Sequence, residues 1–237
     1  MEKFKVREGI EFDIHNQSKF VFEFFTFRSP ECIAEMDCFI KYAKGKKCLL
    51  DVGAYHGIFS LVFTKMNEGS HAHAFEPSWS LYEILVQNCI SNGNYVEALT
   101  LALSDKYGLV LCHKEWQHMV IGKIDSEENT IEVSTETGDN YCNKYSVTPD
   151  VIKIDVEGHE VKVLKGLYET IKKYKPIIFL ETHYNRIPLD GDSTQDIVDF
   201  INEFNYKVID SFTDSEIDPE EINKEHEGER HLILIPK

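Results

Sequence analysis

Leu49-Leu50-Asp51-Val52-Gly53-Ala54-Tyr55-His56-Gly57 is an apolar run that ends in a turn with two glycines, directly ahead of the apolar segment Ile58–Met66. The run reads as a buried strand, the turn as a point where backbone approaches a ligand, and the segment as a helix. A second strand, His71-Ala72-His73-Ala74-Phe75, comes next and closes on Glu76-Pro77. Gly57 and Glu76 are 76 − 57 = 19 residues apart. At about 20 residues, a doubly wound domain sets a carboxylate on a ribose hydroxyl. The segment therefore reads as a pocket for an adenosine-bearing cofactor.

The glycines narrow the choice. A dinucleotide site uses G-x-G-x-x-G to hold a pyrophosphate on backbone and helix N-terminus. Here Gly53 and Gly57 are spaced G-x-x-x-G, with Asp51 two residues ahead. This suits a ligand without phosphates such as S-adenosylmethionine, its ammonium drawn to Asp51 and its ribose to Glu76. Gly53, Ala54, Tyr55, Gly57, Pro77 and Asp155 are further expected cofactor contacts. The plainer reading is a tight strand-to-helix turn with Asp51 as a helix cap.

With 237 residues, 42% of them hydrophobic, the chain suffices for one domain spanning 1–237. It has no apolar run of bilayer length and no secretory h-region after Met1, so neither a membrane nor a secretory role is expected. Cys32, Cys38, Cys48, Cys89, Cys112 and Cys142 form no C-x-x-C pair, which reads as reduced thiols in a cytoplasmic protein. A formal net charge of −16 argues against nucleic acid, whose binding needs clustered Lys and Arg. Lys44–Lys47 and Lys172–Lys175 are the dense basic runs, and each sits where a helix should end. The expected partner is a small molecule or a glycan; no feature of the chain specifies an oligomeric state.

Ile10–Ile14 and Phe20–Phe27 flank His15-Asn16-Gln17-Ser18 and read as an N-terminal β-hairpin within an N-terminal unit, 1–45. Ser29-Pro30-Glu31 then starts a helix that runs to Gly45. After the two strands around the glycine turn come a helix over Ser80–Ser91 and a third strand over Val96–Leu103. Residues 106–148 interrupt the alternation with strand-like Leu109–Trp116 and Thr130–Thr135, an inserted antiparallel flap. The buried pattern resumes at Val151–Val156, followed by a helix over His159–Tyr174, a strand over Pro176–His183 and a helix over Thr194–Asn205. Tyr206–Phe212 and His231–Pro236 are the last strands, and the acidic segment between them has no apolar crossover helix, so the final strand is expected to be antiparallel.

Asp51-Val-Gly-Ala-Tyr-His-Gly57, Phe75-Glu76-Pro77, Ala102-Leu103-Ser104-Asp105 and Ile152-Lys-Ile-Asp155-Val-Glu157-Gly-His159-Glu160, in that order, with Leu164-Lys165-Gly166 behind them, closely resemble the FkbM family of S-adenosylmethionine-dependent methyltransferases. The resemblance runs from about Cys48 to His183, and the block around Lys153–Gly158 is its most specific part. It implies a class I methyltransferase fold: α/β and Rossmann-like, a seven-stranded, mostly parallel sheet whose last strand is antiparallel. It also implies O-methylation, on sugars of glycans or on polyketide-type products. Tyr55 departs from the asparagine often found in this loop.

Methyl transfer from a sulfonium is an in-line displacement, so an acceptor hydroxyl must be held opposite the sulfur and relieved of its proton. In an open α/β sheet such a site lies beyond the carboxyl ends of the strands. Asp51, Glu76, Asp105, Asp155 with Glu157 and His159, and Glu181 with His183 stand there. Asp155, Glu157, His159, Glu181 and His183 are the expected catalytic set. Two readings stand for it: a base with its orienting acid, or Asp155 and Glu181 as ligands of Mg²⁺ or Mn²⁺. Helix capping by Asp155 and Glu157 is the bland alternative. Ser104 and Asp105 are expected at the adenine, although Asp105-Lys-Tyr-Gly108 is also a good turn. Tyr184, Asn185 and Arg186, with Trp116 and His118 of the flap, are candidates for acceptor contact. The competing functions are an NAD-dependent oxidoreductase, disfavoured by the missing third glycine, and a non-catalytic cofactor-binding module of the same fold.

Overall fold

The computed structural model describes residues 1–93, 95–115, 118–121, 130–224 and 228–237, and the side chains of 113–115 and 118–121 lie outside that description. The chain opens with β1 (Glu2–Arg7) and β2 (Ile10–Ile14), an antiparallel pair. Helix α1 (Lys19–Glu23) continues into a π-helical turn, Phe24–Arg28, and then α2 (Pro30–Tyr42) begins, capped by the Ser29 hydroxyl. The N-terminal hairpin therefore exists, but its partner strand precedes Ile10 and Phe20–Phe27 is helical. Apolar alternation at Phe20, Phe22 and Phe24 suggested a strand, but Phe20, Val21, Phe24 and Phe25 also recur at helical spacing and form one stripe.

The alternating core comes next: β3 (Cys48–Val52), α3 (Ile58–Met66), β4 (His71–Phe75), α4 (Trp79–Ser91) and β5 (Val96–Leu99). The expected strand Val96–Leu103 is broken. β5 ends at Leu99, and β6 (Ala102–Ser104) leaves the main sheet to join β7 (Gly108–Glu115), β8 (His118–Ile121) and β9 (Thr130–Thr137). These four form a sheet of order β6-β9-β7-β8, in which β6 is parallel to β9 and the rest pair antiparallel. The insertion also holds a helix, α5 (Gly138–Tyr145), which the polar sequence there concealed.

Beyond the insertion lie β10 (Val151–Ile154), α6 (Glu160–Gly166), α7 (Tyr168–Tyr174), β11 (Ile177–His183), α8 (Thr194–Phe204), β12 (Tyr206–Asp210), β13 (Ser215–Ile217) and β14 (Glu229–Pro236). The expected helix 159–174 is split at Leu167. The main sheet runs β13-β12-β14-β11-β10-β3-β4-β5, with β14 antiparallel to both β11 and β12. It has the seven strands expected plus the short edge strand β13, paired antiparallel to β12.

Alternation along the strands divides the core. Leu50, Val52, Ile152 and Ile154 pack on the face covered by α5 to α8, whereas Leu49, Val151 and Phe179 pack on the face covered by α2, α3 and α4. Lys153 falls in the second set by register, a cation at a position the period reserves for an apolar side chain. No described helix is long and apolar enough to cross a membrane.

Candidate active site

A cavity of about 440 Å³ opens beyond the carboxyl ends of β3, β4, β10 and β11. Because β14 runs the other way, its first residues, Glu229 and His231, reach the same end of the sheet; His231 lies opposite Glu181 in the ladder.

One half of the cavity is built on the glycine turn. The N–H groups of Gly53 and Ala54 both donate to the Phe75 carbonyl at 3.0 Å, fastening the turn to β4. Gly53 has φ +83°, and a Cβ there would sit 1.7 Å from the Asp155 carbonyl oxygen, so the close approach of β3 and β10 requires glycine. Glu76 clamps the turn: its two carboxylate oxygens accept from the Tyr55 N–H at 3.0 Å and the Ser78 N–H at 2.8 Å. Burial pushes its pKa up to about 8. Gly53, Ala54, Tyr55, Glu76 and Pro77 line this half, together with Leu81 and Leu101–Leu103.

Four expected cofactor residues stand behind the wall. Asp51 is absent from the lining, and its Oδ2 accepts from the Ser60 N–H at 3.1 Å and hydroxyl at 2.6 Å. It anchors the first turn of α3, as the capping alternative had it. Gly57 caps α3 at φ +83° and packs toward Leu85. Ser104 is buried against His159, and its hydroxyl donates to Asp105 at 3.1 Å; neither residue lines the cavity, and Leu101–Leu103 do so instead.

The other half is charged. His183 Nδ1 donates to Glu160 Oε1 at 2.7 Å, and this fixes Nε2 toward the cavity, 3.3 Å from Glu157, 3.7 Å from Glu181 and 4.0 Å from Asp155. Burial pulls the His183 pKa down, but Glu160, Asp155 and Glu181 outweigh it and push it to about 10. Glu181 is driven up to about 8 by burial and by Asp155. Asp155 goes the opposite way: burial raises it, and Lys153 and His183 hold it below its ordinary value. Arg186 pairs with Glu157 at the cavity wall. His159 lines the cavity, but both ring nitrogens are engaged, Nδ1 with Asp190 at 2.5 Å and Nε2 with Ser104 at 2.9 Å.

Lys153, Glu35 and His231 complete the cluster without having been expected. Lys153 Nζ, fully buried, stands 3.1 Å from Glu35, 3.4 Å from Glu181 and 3.6 Å from Asp155, over the Phe59 ring at 5.1 Å. His231 Nδ1 lies 2.9 Å from Glu35. The signal for Lys153 was its place amid the apolar residues of Val151–Ile154; Glu35 and His231 carried none, since α2 and β14 bring them from distant sequence.

The chemistry of the donor set decides what fits. Among the described lining residues, Arg186 is the one Lys or Arg, and it is paired with Glu157, so the side chains here supply little positive charge for a pyrophosphate. A glycine cradle, a carboxylate for a ribose and an apolar slot fit an adenosyl ligand without phosphates. Asp155, Glu181 and His183 are close enough to share a cation, as are Glu35, Glu181 and His231. Lys153 already stands as the cation between these carboxylates.

Trp116 lies outside the described residues, as does the side chain of His118. Tyr184 and Asn185 are not in the lining. Phe20, Val21, Phe24 and Phe25 are, forming an aromatic wall from α1 and the π-helical turn.

A family model described as the methyltransferase FkbM domain matches residues 51–208. The hexuronic acid methyltransferase AglP of Haloferax volcanii is 29% identical over 158 residues, covering 64% of this chain and 62% of that protein. The chain thus matches less than two thirds of the length of this relative. The crystal structure of methyltransferase FkbM from Methylobacillus flagellatus superposes with a TM-score of 0.53 at 14% identity, covering 81% of this chain and 44% of that one. This likeness supports the class I methyltransferase-like α/β fold read from the sheet order. The chain belongs to the FkbM methyltransferase domain family.

Proposed function

We propose that this chain transfers a methyl group from S-adenosylmethionine to a hydroxyl oxygen of a sugar. The observation that carries the reading is the meeting, in one cavity, of the Gly53–Glu76 cradle with the Glu160–His183 pair. Bound in the cradle, the cofactor supplies an electrophilic methyl on sulfonium. Glu76 receives the ribose hydroxyls, Leu101–Leu103 flank the adenine, and Gly53 gives the backbone approach.

Acceptor activation falls to His183. Glu160 holds Nδ1, and Nε2 takes the proton of the attacking hydroxyl as the new O–C bond forms and the S–C bond breaks, leaving S-adenosylhomocysteine. Asp155, Glu157 and Glu181 orient the acceptor and stabilise the resulting imidazolium. Lys153 stands between Asp155 and Glu181 and holds Asp155 ionised, and this reading uses no divalent metal. The sugar is supported by the name of the Haloferax relative and by the lining, in which the Phe20–Phe24 wall faces groups able to bond hydroxyls.

The test is calorimetric titration with S-adenosylhomocysteine, followed by incubation of labelled S-adenosylmethionine with a panel of neutral and uronic methyl glycosides, with and without EDTA. Binding plus EDTA-insensitive labelling of a glycoside is expected. Absence of cofactor binding overturns the reading; loss of labelling on chelation, with recovery on adding Mg²⁺ or Mn²⁺, overturns its metal-free form.

A further inference from the structure

Cys48, His71 and His73 carry chemistry that methyl transfer does not use. β3 and β4 lie parallel with Cys48 opposite His71 and Leu50 opposite His73, and alternate residues of a strand share a face, so the register puts all three side chains on one face of the sheet. One thiol sulfur and one nitrogen of each imidazole lie within 4.8 Å of one another. The group stands where β3 and β4 begin, whereas the cavity opens where they end. Gly53 is 53 − 48 = 5 residues beyond Cys48, a span of about 16 Å along a strand.

The surroundings match those of a ligand set. Cys48 and His73 are buried, while His71 is exposed. His71 and His73 border an open cleft with Tyr82, Tyr95 and Glu97, which gives an ion a path from solvent. The two imidazoles meet edge to face with their centroids 5.4 Å apart. His73 Nδ1 lies 2.9 Å from the Tyr141 hydroxyl and 3.5 Å from Glu97, contacts that orient the ring as the outer partners of a ligating histidine do. The plainer role of His73, a core histidine satisfied by Tyr141, leaves the adjacent thiol and second imidazole without an account. A thiolate with two imidazoles favours a borderline-soft ion such as Zn²⁺ over Mg²⁺, Ca²⁺ or Mn²⁺, which prefer oxygen.

We propose that Cys48, His71 and His73 bind one Zn²⁺ ion, with water in the fourth position, and so clip the start of β3 to the start of β4. Burial pushes the Cys48 thiol up to about 12, and coordination by the ion releases that proton.

The experiment uses the full chain without a polyhistidine tag, stripped of metal with a chelator and desalted, with Co²⁺ as the spectroscopic probe and Zn²⁺ as competitor. One equivalent of Co²⁺ gives the thiolate-to-metal charge-transfer band of a cysteine-ligated ion, and Zn²⁺ bleaches the band and raises the melting temperature. The carboxylate and histidine groups beside the cavity, Asp155 with Glu181 and His183, and Glu35 with Glu181 and His231, contain no cysteine, so an ion held there gives no such band. Cys32 does line the cavity, and Cys32→Ser controls for it. Cys48→Ser abolishes the band, Cys32→Ser leaves it, and His71→Ala, a change at an exposed side chain, weakens Co²⁺ binding about tenfold or more. If Cys48→Ser does not fold, His71→Ala decides. No thiolate band in the unmodified chain, a band that survives Cys48→Ser or disappears in Cys32→Ser, or unchanged affinity in His71→Ala overturns the proposal.

Discussion

His183 and Glu160 share a 2.7 Å hydrogen bond between Nδ1 and a carboxylate that solvent does not reach, and so the opposite ring nitrogen is committed to the cavity. With a pKa near 10, His183 is neutral in roughly a thousandth of the molecules at pH 7. Methyl transfer should therefore rise with pH between about 7 and 10. Glu160→Gln removes the charge that raises this pKa, so the rise should move to lower pH, and His183→Ala should lose about 10²–10⁴-fold in kcat. Rates measured across pH for the three proteins check this; a profile unmoved by Glu160→Gln counts against the pair.

Lys153 is the cation shared by the buried Glu35 and Glu181 and the partly exposed Asp155. Lys153→Met should destabilise the fold by about 3–5 kcal/mol, because it removes the buried cation shared by Glu35, Asp155 and Glu181 and leaves His231 to balance Glu35. Adding Glu35→Gln should recover part of that loss. Urea denaturation of the single and double variants measures it, and strict additivity of two losses would contradict the coupling.

Gly53→Ala meets two obstacles, the left-handed backbone, worth about 1–2 kcal/mol, and collision with the Asp155 carbonyl. Gly191, at φ +84° with open space where a Cβ would stand, meets only the first. Gly53→Ala should lower the melting temperature further than Gly191→Ala and abolish binding of S-adenosylhomocysteine. Equal shifts for the two would show that β3 and β10 can part at little cost.

Glu76 titrates near 8 in the folded chain against about 4.5 for an ordinary glutamate. The folded state holds this proton more tightly, so its stabilising contribution is complete below about pH 4.5 and is lost as pH rises through about 8. Glu181 contributes with the same sign. In urea denaturation of the ligand-free protein at pH 5.5 and 8.5, Glu76→Ala should show a smaller difference between the two pH values than the unmodified chain.

Phe20 is 57% exposed at the cavity wall, with its ring 4.8 Å from that of Phe24. Stacking of this kind contributes about 0.5–1.5 kcal/mol, so Phe20→Ala should raise KM for the acceptor about two- to tenfold and leave S-adenosylhomocysteine affinity unchanged. Phe20→Trp should restore acceptor KM. A variant with unaltered acceptor KM would remove Phe20 from recognition.

The doubly wound core was legible because its signals are local. Apolar runs ending at Gly53, Glu76, Asp155 and His183 announce strands and the residues at their carboxyl ends, and all but the outermost ladder strand could be placed from them. Asp51 shows the limit: proximity to the glycines suggested a ligand contact, whereas its register turns it onto Ser60. Glu35, Lys153 and His231 were illegible for a different reason. Their meeting depends on α2 crossing the sheet and on β14 running backward, which no single stretch of sequence encodes. Phe20–Phe27 misled because its apolar residues alternate at 20, 22 and 24 and also recur at 20, 21, 24 and 25, so that the strand and helix periods compete.

The match to the family spans residues 51–208, yet Phe20 and His231 line the same cavity, and Glu35 is buried against Lys153 and His231. On the proposed reading, the cofactor cradle and His183 with its carboxylates lie inside the shared core, whereas the aromatic wall of Phe20 and Phe24 lies outside it. Specificity can diverge by rewriting the flanks while the core stays put, with one condition. Any transplanted N-terminal segment must arrive with a carboxylate at the position of Glu35, or Lys153 at the centre of the recipient loses the nearest of its three carboxylate partners.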